Sequence, residues 1–218
     1  MTQSVTDTIR GLLAEHARLG VDVASLSDTA DLYGAGMTSH ASVTVMLACE
    51  DEWDLEVVLG RALLERKTTI ALAESCTGGL VAGLLTRVPG ISAVFGQGHV
   101  VYSDDAKERL LGVPRALLAA HGAVSREVAE AMALGAARAA EADLAVAVTG
   151  IAGPGGGTAQ KPVGLVCFAT VLAGEVRSVE RRFPPVDRDA IRRWSARTAL
   201  FLAWKRLFDA GRARPSVD

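Results

Sequence analysis

The chain has 218 residues, 50% of them hydrophobic and 22% charged, with a formal net charge of −2. That length and apolar content suit one good core and a small second one, so a globular chain is expected. No apolar run approaches the roughly 20 residues of a membrane span, and the polar first residues do not resemble a signal peptide. A cytoplasmic location with no membrane partner follows as the expectation. Cys49, Cys76 and Cys167 are odd in number and far apart. They indicate neither a disulfide framework nor a metal site.

Charge is unevenly spread. Residues 1–56 hold ten acidic residues against Arg10 and Arg18, whereas the rest of the chain carries 21 basic residues against 15 acidic ones. This contrast predicts an acidic segment over 1–56, a larger domain over 57–210 and a tail over 211–218.

Residues 4–19 read as an amphipathic helix with Val5, Ile9, Leu12, Leu13 and His16 on one face. A loop rich in Asp, Ser and Gly leads to Thr38-Ser39-His40, which is suited to cap a second helix over 41–51. This stretch resembles the first part of an acyl carrier protein. The resemblance aligns Ser39 with the serine that carries phosphopantetheine, although Thr38 stands where Asp is expected and His40 where Leu is expected. The competing reading makes Ser39 a plain helix cap.

Residues 57–66 form a short amphipathic helix leading into a β-branched and apolar strand, Thr68 to Ala73. The turn Glu74-Ser75-Cys76-Thr77-Gly78-Gly79 joins that strand to a helix from Leu80 to Arg87. Ligands of open α/β sheets bind at such carboxyl ends, where the first helix amides point outward and favour anions. After Pro89-Gly90, residues 92–103 read as a strand ending at Tyr102, and Asp104-Asp105 start a helix that carries Lys107. Pro114 opens another short helix, His121-Gly122 closes it, and Ser125 caps an Ala-rich helix to about residue 140. Asp143 to Thr149 is an apolar strand buried on both faces. It runs into a glycine-rich loop, Gly150 to Thr158, followed by Lys161. Val163–Leu172 and Glu175–Phe183 make a hairpin turning at Ala173-Gly174, and Asp187–Phe208 is a long final helix. Arg181, Arg182, Arg188, Arg192 and Arg193 lie near that helix with few aromatics. They predict a solvated surface, or contact with the acidic segment, rather than nucleic-acid binding.

Three junctions carry reactive groups: Ser75 with Thr77, Tyr102 with Lys107, and the Thr149–Lys161 loop. No Gly-x-Ser-x-Gly elbow is present, and no histidine stands in a recognisable motif, which disfavours a Ser-His-Asp triad. A serine can instead be activated by a lysine of lowered pKa, and Lys107 is the candidate. Cys76 is the rival nucleophile.

Residues 57–209 resemble the CinA carboxy-terminal domain family, the nicotinamide-nucleotide amidohydrolases. The motifs that carry the resemblance are Ala73 to Gly79, Val101-Tyr102-Ser103 with Lys107, His121 to Ser125, and Val148 to Pro154 through Gly156-Gly157-Thr158 to Lys161-Pro162-Val163-Gly164. The resemblance implies a three-layer α/β/α sandwich, preceded here by a short all-α segment, and a homodimer. It implies hydrolysis of the carboxamide of nicotinamide mononucleotide with no cofactor. Ser75 would be the nucleophile and Lys107 the base, and Tyr102 would orient or relay the proton. Amides of Cys76 to Gly79 would stabilise the oxyanion. Thr77, Gly78, Gly79, Thr149, Gly150, Gly153, Gly156, Gly157 and Lys161 would bind substrate, the glycine loop holding the ribose phosphate. Asp104 stands where Asn is common in the family, and Gly155 and Ala159 replace more usual polar and Pro residues. A catalytically silent nucleotide-binding module and an acyl-carrier role for the first segment are the alternatives.

Overall fold

Strands whose side chains alternate between two apolar faces need a layer on each side, and residues 55–212 supply both. The computed structural model describes residues 5–38, 40–42, 44, 45, 48 and 54–212. The chain divides into two compact units, residues 1–54 and 55–218.

In the first unit, α1 (Val5–His16) is followed by a short 3-10 turn at Val23–Ser25. Leu13, Ala17, Val23 and Val45 form a small core. Arg10 pins the loop by donating to the carbonyls of Val23 (2.7 Å) and Leu26 (2.8 Å) and to the Asp28 carboxylate (2.8 Å). Ile9, expected on the inner face, is instead 37% exposed. It stands on the rim of an open cleft with Leu26 and Leu32. The residues described between 40 and 48 are helical, and the Thr38 hydroxyl accepts from the Ala41 amide, so Thr38 acts as a cap. Ser39 and Cys49 lie outside the described residues.

The second unit opens with α2 (Leu55–Arg66), β1 (Ile70–Glu74) and α3 (Leu80–Leu85). A 3-10 turn at Ile91–Ala93, overlapping the start of the strand predicted from residue 92, precedes β2 (Phe95–Val100). Three helices follow: α4 (Asp104–Leu111), α5 (Arg115–His121) and α6 (Arg126–Ala140). The chain then forms β3 (Leu144–Gly150), β4 (Leu165–Leu172), β5 (Glu175–Arg182) and α7 (Arg188–Arg212). The strands make one mixed sheet in the order β2-β1-β3-β4-β5, with β1 parallel to β2 and β3, and β4 antiparallel to both β3 and β5.

Residue period two sorts the core. Ile70, Leu72, Leu144, Val146, Val148 and Phe168 point to one face, where α2, α3 and α7 cover them. Ala71, Ala73, Ala145, Ala147 and Ala169 point to the other face, against Ala129, Met132, Ala133 and Ala136 of α6. Small side chains on both surfaces let α6 lie close to the sheet. At Gly135 an added Cβ would stand 2.2 Å from the Leu111 carbonyl oxygen, so α6 also crosses the end of α4 at backbone contact. A latch joins the start of β1 to that of β3. The Asp143 carboxylate accepts from the Thr69 amide (2.9 Å) and hydroxyl (2.7 Å), and the Asp143 amide donates to that hydroxyl (2.9 Å). The architecture is a three-layer α/β/α sandwich.

Candidate active site

From the end of β1 the chain turns to α3 on one face of the sheet, and from the end of β2 it turns to α4 on the other. Neighbouring strands whose connections diverge in this way leave a crevice between their carboxyl ends. Ser75 sits at the end of β1, and Tyr102 and Lys107 follow the end of β2.

The sequence Glu74 to Gly79 folds as a fixed turn. The Ser75 amide donates to Val148 O (2.9 Å) and the Val101 amide to Glu74 O (2.8 Å), which joins the turn to both neighbouring strands. Gly78 and Gly79 adopt φ of 61° and 100°, the left-handed conformations that let the chain reverse into α3. Glu74 is buried, and its carboxylate accepts from the amides of Gly79 (2.9 Å), Val81 (3.1 Å) and Ala82 (2.8 Å). This corrects the expectation that the first amides of this helix are open to an anion. The Gly78 amide is likewise occupied, by Ser75 O at 3.1 Å. The amides of Cys76 and Thr77 remain, with no backbone or side-chain oxygen as acceptor among the described residues.

A cavity of about 220 Å³ opens at this point. Of the residues singled out from sequence, Ser75, Cys76, Tyr102, Lys107, Thr149 and Gly150 line it. Ser103, Asp104, Ala123, Val124, Ala152 and Arg188 complete the wall. Lys107 is 1% exposed, and its ammonium meets the Ser103 carbonyl only at 3.5 Å and an Asp104 carboxylate oxygen at 3.6 Å. Burial pushes its pKa below the ordinary lysine value, and the Asp104 carboxylate pushes it back. Cys76 packs in the core, and burial raises its thiol to about 12, so it carries almost no thiolate at neutral pH. Ser75 and Cys76 thus both stand on the cavity wall, with Cys76 held as the neutral thiol.

The remaining expected residues stand elsewhere. Thr77 is fully buried, and its hydroxyl has no hydrogen-bond partner among the described residues. Gly78, Gly79, Gly153, Gly156 and Gly157 are not on the cavity wall. Residues 154–160 are exposed, and Lys161 is not a free cation facing a phosphate. Its ammonium donates to the carbonyls of His121 (2.5 Å) and Val124 (2.6 Å), tying the glycine loop to the corner between α5 and α6. The Thr149 hydroxyl donates to Ala123 O (2.8 Å) at the same corner.

Two arginines that the sequence assigned to a solvated surface turn inward. Arg188 donates to the Tyr102 hydroxyl (2.5 Å) and to Gly153 O (2.6 Å). Arg192 donates to the carbonyls of Cys76 (3.2 Å) and Thr77 (3.0 Å). Their signal in the sequence is the spacing of four at the start of the last helix, which puts both on one face.

The CinA C-terminal domain model matches residues 52–207. A CinA-like protein of Citrifermentans bemidjiense is 49% identical over 177 residues, which cover 81% of this chain and 42% of that protein. A putative competence-damage inducible protein of Symbiobacterium thermophilum is 53% identical over 160 residues, covering 69% of this chain and 37% of the relative. The chain thus spans about two fifths of the length of these relatives. Among solved structures, the competence/damage inducible protein CihA from Agrobacterium tumefaciens has a TM-score of 0.67 at 46% identity, covering 72% of this chain and 96% of that one. A CinA superfamily protein from Klebsiella pneumoniae has a TM-score of 0.69 at 35% identity, covering 72% and 97%. With the family model matched over residues 52–207 and solved relatives sharing the fold, the chain belongs to the CinA C-terminal domain family.

Proposed function

We propose that residues 55–212 hydrolyse the carboxamide of nicotinamide mononucleotide to nicotinic acid mononucleotide and ammonia through a serine acyl-enzyme. One juxtaposition supports this reading: Ser75 and a buried, weakly paired Lys107 line the same cavity. An amine held below its ordinary pKa can take the hydroxyl proton of a serine, which a fully charged lysine cannot do.

In the first step neutral Lys107 takes the Ser75 proton as Oγ bonds to the amide carbon. The oxyanion receives the Cys76 and Thr77 amides, a contribution of about 3 kcal/mol per donor in other hydrolases. Collapse breaks the carbon–nitrogen bond, and the Lys107 ammonium returns its proton to the leaving ammonia. Water then attacks the ester, giving a proton to Lys107, and Ser75 recovers its own as the acid leaves. Tyr102 accepts from Arg188 through its hydroxyl oxygen, which leaves the hydroxyl available as a donor to substrate.

Ammonia release from nicotinamide mononucleotide by the purified chain tests this. Ser75→Ala and Lys107→Met are expected to lower kcat by about a thousandfold or more, and Cys76→Ala to leave it within a few fold. Substrate binding without turnover in the unmutated chain would instead support a nucleotide-binding module.

A further inference from the structure

Among the described residues the cavity wall carries one carboxylate, Asp104, and it stands beside the base. Its Oδ1 lies 3.6 Å from Lys107 Nζ, the two residues standing three positions apart on α4, and the side chains are 59% and 1% exposed. Lys107 has three N–H donors and, among the described residues, otherwise meets the Ser103 carbonyl at 3.5 Å. The other charged and titratable groups on the cavity are the Cys76 thiol from the turn after β1, Tyr102 and the Arg188 guanidinium from α7. Along α4, Glu108 is engaged with Arg115 of α5 at 2.7 Å, and Arg109 pairs with Asp105. From α6, Arg138 donates to the Leu111 carbonyl, one turn beyond Lys107. Asp104 is therefore the group that favours the ammonium form, against a burial that favours the amine.

We propose that Asp104 governs the protonation of Lys107 and so sets the pH at which Ser75 becomes nucleophilic. It is a positioning residue that acts through the lysine. While the pair is intact, Lys107 holds a proton that must pass to solvent before it can accept the one from Ser75. Its kinetic consequence rests on the amidase reading, whereas its effect on Lys107 itself does not.

The test compares the unmutated chain with Asp104→Asn and Asp104→Glu. In Asp104→Asn the acid limb of the kcat/KM profile for nicotinamide mononucleotide is expected at lower pH, because that limb reports the free enzyme. Activity below the limb rises severalfold, and the gap narrows as salt screens the half-exposed pair. Asp104→Glu restores the original profile. Independently, carbon NMR of lysine labelled at Cε, with the signal assigned by Lys107→Met, follows the amine directly. Its titration midpoint is expected to fall in Asp104→Asn. Coincident titration curves, or a rise, would overturn the proposal whatever the kinetics. If no variant releases ammonia, the amidase reading fails and the lysine titration alone decides.

Discussion

Glu74 ends β1 with its carboxylate turned into the first turn of α3, where three amides converge on it. A buried anion is stable there because charge-assisted bonds and the positive end of the helix replace its water. Replacing one of its oxygens by an amide group turns an N–H toward an N–H. Glu74→Gln should therefore cost about 1–3 kcal/mol in urea unfolding, and lower kcat because the turn that holds Ser75 loosens. Unchanged stability would show that the three bonds carry little. At this scale the sequence was informative about residue identity and poor about direction. Ser75, Tyr102 and Lys107 stood out because reactive side chains follow strand ends. Nothing local showed that Lys161 turns to two carbonyls, that Glu74 occupies the helix amides, or that Arg188 faces the cavity, since each partner lies on another segment.

Among the elements, α6 is the one whose packing is set most tightly by residue size. Alanine is a better helix former than glycine by about 1 kcal/mol, so Gly135→Ala would stabilise an open helix. Here the new Cβ would meet the Leu111 carbonyl oxygen at 2.2 Å, and a backbone atom cannot swing aside. Overpacking costs about 1–3 kcal/mol and wins. Gly135→Ala is expected to destabilise by about 1–2 kcal/mol net, whereas Gly83→Ala in α3, with nothing within 4 Å, should stabilise by a few tenths to 1 kcal/mol. Urea unfolding of both variants checks the pair of signs. Most elements were legible because period and capping coincide. Ser125 accepts from the Val128 amide at the head of α6, and Ala173 and Gly174, with φ of 50° and 80°, make the hairpin turn. The 3-10 turn at Ile91–Ala93 was not legible, since Val94 and Phe95 directly after it begin a strand-like composition that its own residues do not interrupt.

For the whole molecule, both large cores draw all their buried residues from positions 59–207. A polypeptide of residues 55–218 is therefore expected to unfold cooperatively with a Tm close to that of the full chain, and to keep whatever amidase activity the full chain has. Loss of the calorimetric transition would show that residues 1–54 complete the fold. The alternation of strands and helices pointed to an open α/β sheet, and the family resemblance implied the sandwich. The order β2-β1-β3 was not, because strand neighbours are chosen by pairings across many residues. The latch between Thr69 and Asp143 spans 74 positions. On a ribosome adding roughly 5–20 residues per second, β1 waits about 4–15 s for the strand that completes its pairing. Ser75, whose amide is held by Val148, can reach its working position only after that wait. The turn is made early and finished late, and a nascent chain truncated before β3 would carry the serine without the strand that fixes its amide.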